Sequence, residues 1–74
     1  MRELYKREVD QAIERIRKVT PGPHESLRKI LCERIETAVE VNDRLTLDLR
    51  RAAYRSLFRW IGAEYKKLVG ILKL

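Results

Sequence analysis

Residues 44–74 read RLTLDLRRAAYRSLFRWIGAEYKKLVGILKL, and the fold turns on how this stretch is organised. Successive residues of an α-helix are rotated by about 100°. On that wheel Leu47, Tyr54, Leu57, Phe58, Ile61, Tyr65, Leu68 and Leu72 fall within an arc of roughly 100°, the width of a core-facing stripe. Arg44, Arg51, Arg55, Arg59, Lys66 and Lys73 fall in a different and narrower arc, where Asp48 is the only acid. One long helix over residues 46–72 would thus bury one face and present cations on another. Ala53, Trp60 and Ile71 add a second apolar row beside the first, and the tail from Leu68 to Leu74 is apolar around most of its circumference.

Upstream of this stretch, the apolar positions Tyr5, Val9, Ala12, Ile13, Ile16 and Val19 are three and four residues apart, which predicts a helix over residues 2–19. Glu3 with Arg7 and Glu14 with Lys18 stand at i,i+4 in the favourable order, as on a solvated face. Thr20-Pro21-Gly22-Pro23 stops that helix, because proline has no N–H and disfavours helical geometry in the residue before it. Pro23 suits the first turn of a second helix over residues 24–41, with Gly22 as its N-cap and His24 as an ordinary first-turn residue. Leu27, Ile30, Leu31, Ile35, Ala38 and Val39 line one stripe of this helix, and Glu33, Glu36 and Glu40 its outer face. Cys32 flanks the stripe as a small hydrophobe.

Asn42-Asp43 is the next break, with either residue or Thr46 able to cap the third helix. The run Arg44–Arg50 alternates like a strand, and is read as a loop entering the helix. Pairing of that run with another copy, and a continuous second and third helix, are the alternatives.

The composition sets limits. Seventy-four residues make one domain, residues 1–74, near the small end of what folds alone. One cysteine cannot form an internal disulfide, and with one histidine it cannot build a four-ligand zinc site. The N-terminus lacks an apolar signal region, and no run approaches the ~18 apolar residues of a membrane span. These features fit a protein of the reducing cytoplasm. The net charge of +6 is uneven: residues 1–20 carry +2, residues 21–42 carry −1 and residues 43–74 carry +5.

No phosphate-binding glycine loop and no nucleophile–base constellation is present, so no catalytic residue, metal ligand or cofactor is assigned. A non-enzymatic chain is expected, with an arginine-lined anion site between subunits as the remaining catalytic route. The expected fold is all-α: a small three-helix bundle with a long third helix, in an oligomer. Its core would be Val9, Ile13, Ile16, Leu27, Ile30, Leu31, Ile35, Leu47, Tyr54, Phe58, Ile61, Tyr65 and Leu68. Helices of about 18 residues span ~27 Å, whereas the third would span ~40 Å. That mismatch should leave Trp60, Leu68, Ile71, Leu72 and Leu74 short of neighbours. The favoured function is a helical assembly module that self-associates through these residues as a homodimer or small even oligomer, its third helices antiparallel, or docks on a larger protein. The alternative is a DNA- or RNA-binding protein whose phosphate contacts are Arg44, Arg51, Arg55, Arg59, Lys66 and Lys73. Against that stands the option that Arg51, Arg55 and Arg59 pair with Glu33, Glu36 and Glu40, within or between chains.

Overall fold

Helix α1 runs from Arg2 to Val19, within a computed structural model that describes residues 2–73, and side chains over residues 5–73. Thr20 ends α1: its hydroxyl donates to the Ile16 carbonyl at 2.6 Å, and Pro21 follows in extended geometry with no N–H to continue the ladder. Gly22–His24 then form one 3-10 turn, closed by the His24 N–H donating to the Pro21 carbonyl at 2.9 Å. Pro23 sits in this turn, where the N–H it lacks would have no helical partner. Helix α2 spans Glu25–Asp43. Gly22 is therefore not its N-cap. His24 holds that position and makes no side-chain cap bond.

The second break lies later than expected. Asn42 and Asp43 are the last residues of α2, and the chain turns over Arg44–Thr46. Thr46 is extended and stands at the N-cap of α3, Leu47–Leu72, its carbonyl accepting from the Arg50 N–H at 2.7 Å. The Arg44 and Leu45 N–H groups close α2 onto the Val41 and Asn42 carbonyls, and Arg50 reaches back so that Nη2 donates to the carbonyls of Asp43 and, in the turn, Leu45 at 3.1 Å each. Carbonyls at a helix C-terminus have no partner within the helix, and a guanidinium supplies one. Beside it the Tyr54 hydroxyl donates to Asp43 Oδ1 at 2.6 Å. So α2 and α3 are separate helices, and the alternating run is turn and first helical turn. No strand occurs among the described residues.

Each helix touches the other two. Tyr5 stacks on Tyr54 with centroids 4.2 Å apart and planes 3° from parallel, and Arg15 lies over the Tyr65 ring at 5.9 Å. Those contacts advance together along both helices, so α1 and α3 run parallel, and α2 runs antiparallel to both. All three helices contribute to one buried cluster of Val9, Ile16, Ile35, Tyr54, Leu57, Ile61 and Leu68. Ile16 and Ile35 are fully buried, each worth about 1.5–3 kcal/mol of transfer free energy. Ile13, Leu31, Phe58 and Tyr65 pack against the cluster while partly exposed.

Three expected core residues are outside. Leu27, Ile30 and Leu47 are 37%, 51% and 40% exposed. On α2 the apolar stripe is wider than the surface its neighbours cover, and α3 and α1 take the Leu31–Ile35–Val39 side of it. At Leu47 the cause is register. Asp43, the last residue of α2, bonds to Tyr54, so the seven residues before Tyr54 overhang α2 by about 10 Å. The surplus length of α3 thus emerges at its N-terminal end, whereas its C-terminal half lies beside α2. Leu68 is 5% exposed there, against Leu31.

Candidate interaction surfaces

Exposure divides α3 into three faces. Tyr54, Leu57, Ile61 and Leu68 point inward. The side chains of Arg51, Arg55, Arg59 and Lys66 are all exposed along a second face, continued by Arg44 in the preceding turn and Lys73 after the helix. None of these six cations takes part in an ion pair among the described residues. Arg51, Arg55 and Arg59 therefore do not pair with Glu33, Glu36 or Glu40 of their own chain, although all three acids are exposed. The two ion pairs among the described residues are local: Arg28 with Glu25 at 3.1 Å and Lys67 with Glu64 at 3.7 Å.

The third face is apolar and shared with α2. Leu27 and Ile30 of α2 line a shallow depression with Leu68 and Ile71 of α3, flanked by Arg34 and Lys67. Ile71 is 50% exposed and Val41, further along the same side of α2, 55%. Leu49, 59% exposed, lies on the corresponding side of α3. α1 packs on the opposite side of the α2–α3 pair, where Ala12 and Arg15 line one depression with Phe58 and Tyr65, and Val9 and Ile13 line another with Val39. Of the six exposed large hydrophobic residues among those described, all but Leu47 therefore lie on the side of α2 and α3 that faces away from α1.

This face differs from the one expected at the tail of α3. Leu68 is buried, and Trp60 and Leu72 are partly buried and packed on the core. Only Ile71 of that set is exposed, and Leu74 lies outside the described residues. Val41 and Leu49 were not anticipated. Their signal was present as apolar residues off the main stripe of each helix.

Two helix-interior glycines add a detail. A Cβ built on Gly62 or on Gly70 meets nothing within 4 Å, so neither residue is needed for close packing inside the chain.

The fold shifts the titration of two side chains, Tyr54 and Cys32. Burial, and then the bond to Asp43, push the Tyr54 phenol well above its usual range, so its proton stays on the Asp43 hydrogen bond. Burial likewise raises the Cys32 thiol, with Arg17 opposing, and a protonated thiol is a poor nucleophile. Among the described residues no group of histidine, cysteine, aspartate or glutamate side chains has the geometry to hold a metal ion, and no helix is long and apolar enough to cross a membrane.

No protein-family model matches this chain, and no curated protein and no solved structure shows significant similarity to it.

Proposed function

We propose that this chain is a three-helix bundle serving as an assembly module, and that it docks through the α2–α3 face bearing Leu27, Ile30, Val41, Leu49 and Ile71. The observation that carries this reading is the gathering of five half-exposed apolar side chains on the one long side that α1 leaves open. Leu27, Ile30 and Ile71 form one apolar patch with Leu31 and Leu68, Val41 and Leu49 lie further along the same side, and exposed apolar patches mark interaction sites. The alternative of an enzyme has no support in a constellation of reactive groups. A photo-crosslinking residue placed at position 30 or 41, in cells that make the protein, tests the reading. Assembly predicts a discrete adduct of defined mass from both positions and none from position 18, on the exposed face of α1. Absence of any adduct from positions 30 and 41 refutes it.

A second reading has its own support in the six exposed cations of α3 and its flanks, which have no carboxylate partner among the described residues. A row of unpaired arginines fits the spacing-tolerant chemistry of phosphate contact. Electrophoretic titration of duplex and single strands at low and physiological salt tests it, and no binding at low salt ends it. The basic face and the apolar face are distinct sides of α3, so the two readings are compatible.

A further inference from the structure

Resting on the assembly reading, we infer that the occupant of the α2–α3 face is a second copy of this chain, set so that α2 of each copy lies over α3 of the other. The rims of the face are complementary in charge: Glu33 and Glu40 are exposed on the outer flank of α2, and Arg59 and Lys66 on that of α3. Two identical faces can meet about a two-fold axis that runs along the helices or across them. The axis across the helices sets basic α3 on basic α3. The axis along them sets α2 on α3, antiparallel, with acids opposite bases.

The heights of the residues agree with the second arrangement. Asp43 is level with Tyr54, and Ile30 and Leu31 are level with Leu68 and Ile71. Glu40 is therefore level with Arg59, and Glu33 with Lys66. Within one chain each points away from the other across the breadth of the face, and no ion pair forms between them. An axis along the helices preserves height, so it places Glu40 against Arg59 of the second copy and Glu33 against Lys66 of the second copy. α2 and α3 share about 30 Å of the 41 Å length, so a side 17 Å wide offers about 500 Å² per copy, the size of a weak, reversible interface. The open space above Gly70 and the small side chains of Ala52, Ser56 and Ala63 on the same flank of α3 leave room for a helix to approach closely.

The test uses two variants of the full chain, Glu33→Lys with Glu40→Arg and Arg59→Glu with Lys66→Glu. All four positions are exposed, and circular dichroism checks that both variants keep wild-type helicity. Sedimentation equilibrium up to about 1 mM protein, tight enough to detect weak pairing, should show the wild type as a dimer. Each variant alone opposes like charges at four rim positions and should dissociate about 30-fold more readily. An equimolar mixture restores all four oppositions and should dimerise as tightly as the wild type. So should one chain with all four reversals. A wild type that remains monomeric overturns the second copy, whereas a crosslink from position 30 to a protein of another mass would still uphold docking. A dimer indifferent to the reversals, or a mixture that fails to recover, overturns the α2-over-α3 arrangement.

Discussion

Removing one oxygen atom at Tyr54 should cost this protein a large part of its stability. Tyr54 is 2% exposed, and its hydroxyl makes a 2.6 Å bond to Asp43 at the end of α2. In Tyr54→Phe the ring keeps its stack on Tyr5 and its contact with Phe58, so packing is nearly conserved. What is lost is a hydrogen bond to a carboxylate, worth about 1.5–3 kcal/mol. A single core of this size rarely leaves more than about 3–5 kcal/mol net. At the usual unfolding entropy per residue, a loss of about 2 kcal/mol lowers Tm by roughly 10–15 °C. Thermal and urea melts followed by circular dichroism measure it. The same bond gives an alkaline signature. The phenol is held above its usual value in the folded chain, so its contribution is complete below the unfolded value of about 10 and is lost as pH rises beyond that. The wild type should therefore weaken above that pH more steeply than Tyr54→Phe. A Phe variant that melts within about 2 °C of the wild type, with the same alkaline profile, would show that the bond contributes nothing.

Gly62→Ala and Gly70→Ala should each stabilise the folded chain by about 0.5–1 kcal/mol, because the new methyl meets nothing and helix propensity improves; a lower Tm for either would contradict the open space seen there. Ile35→Ala should cost about 2–5 kcal/mol while Ile30→Ala, half-exposed on the same helix, costs well under half as much; equal losses in urea melts would mean that the α2 face is wrongly oriented. If the basic face binds nucleic acid, replacing Arg51, Arg55 and Arg59 by Gln should weaken binding alike on all sequences. It should also reduce the slope of log K against log salt by about 2–3, and an unchanged slope would clear these residues of phosphate contact.

The helices were legible from the sequence because their signals are local. The proline pair ends α1 where Thr20 closes it, and the three-and-four spacing identifies α1 and α3 to within a residue. The orientation of α2 was not legible. Leu27, Ile30, Leu31 and Ile35 form one broad apolar arc, and only the positions of α1 and α3 decide which edge of it turns inward. Register was the other loss. Comparing helix lengths says that α3 has surplus, but the end at which it emerges depends on the bond between Asp43 and Tyr54, eleven residues apart on different helices. The same missing register is why Trp60, Leu68 and Leu72 read as short of neighbours, whereas Leu68 is buried and Trp60 and Leu72 pack on the core. All six cations are exposed, and the stripe was legible because a charge stripe on a long helix depends on periodicity alone.

The clasp of Arg50 and Tyr54 on the end of α2 also sets an order of events. Its three bonds close loops of five, seven and eleven residues, whereas the stack of Tyr5 on Tyr54 must bring together residues 49 apart. Short loops close at small entropic cost and early, so the α2–α3 hairpin should form in the folding transition state and α1 should arrive after it. Mutations in the clasp would then slow folding, and mutations such as Val9→Ala would chiefly hasten unfolding. An α1 that docks last is also an α1 that detaches first. The protein would then pass through a state in which the hairpin offers two open sides to a neighbour, one native and one meant for its own first helix. If copies of the chain pair, a second chain lending its α1 to that vacancy would be a route to exchange between them, paced by the rate of α1 release.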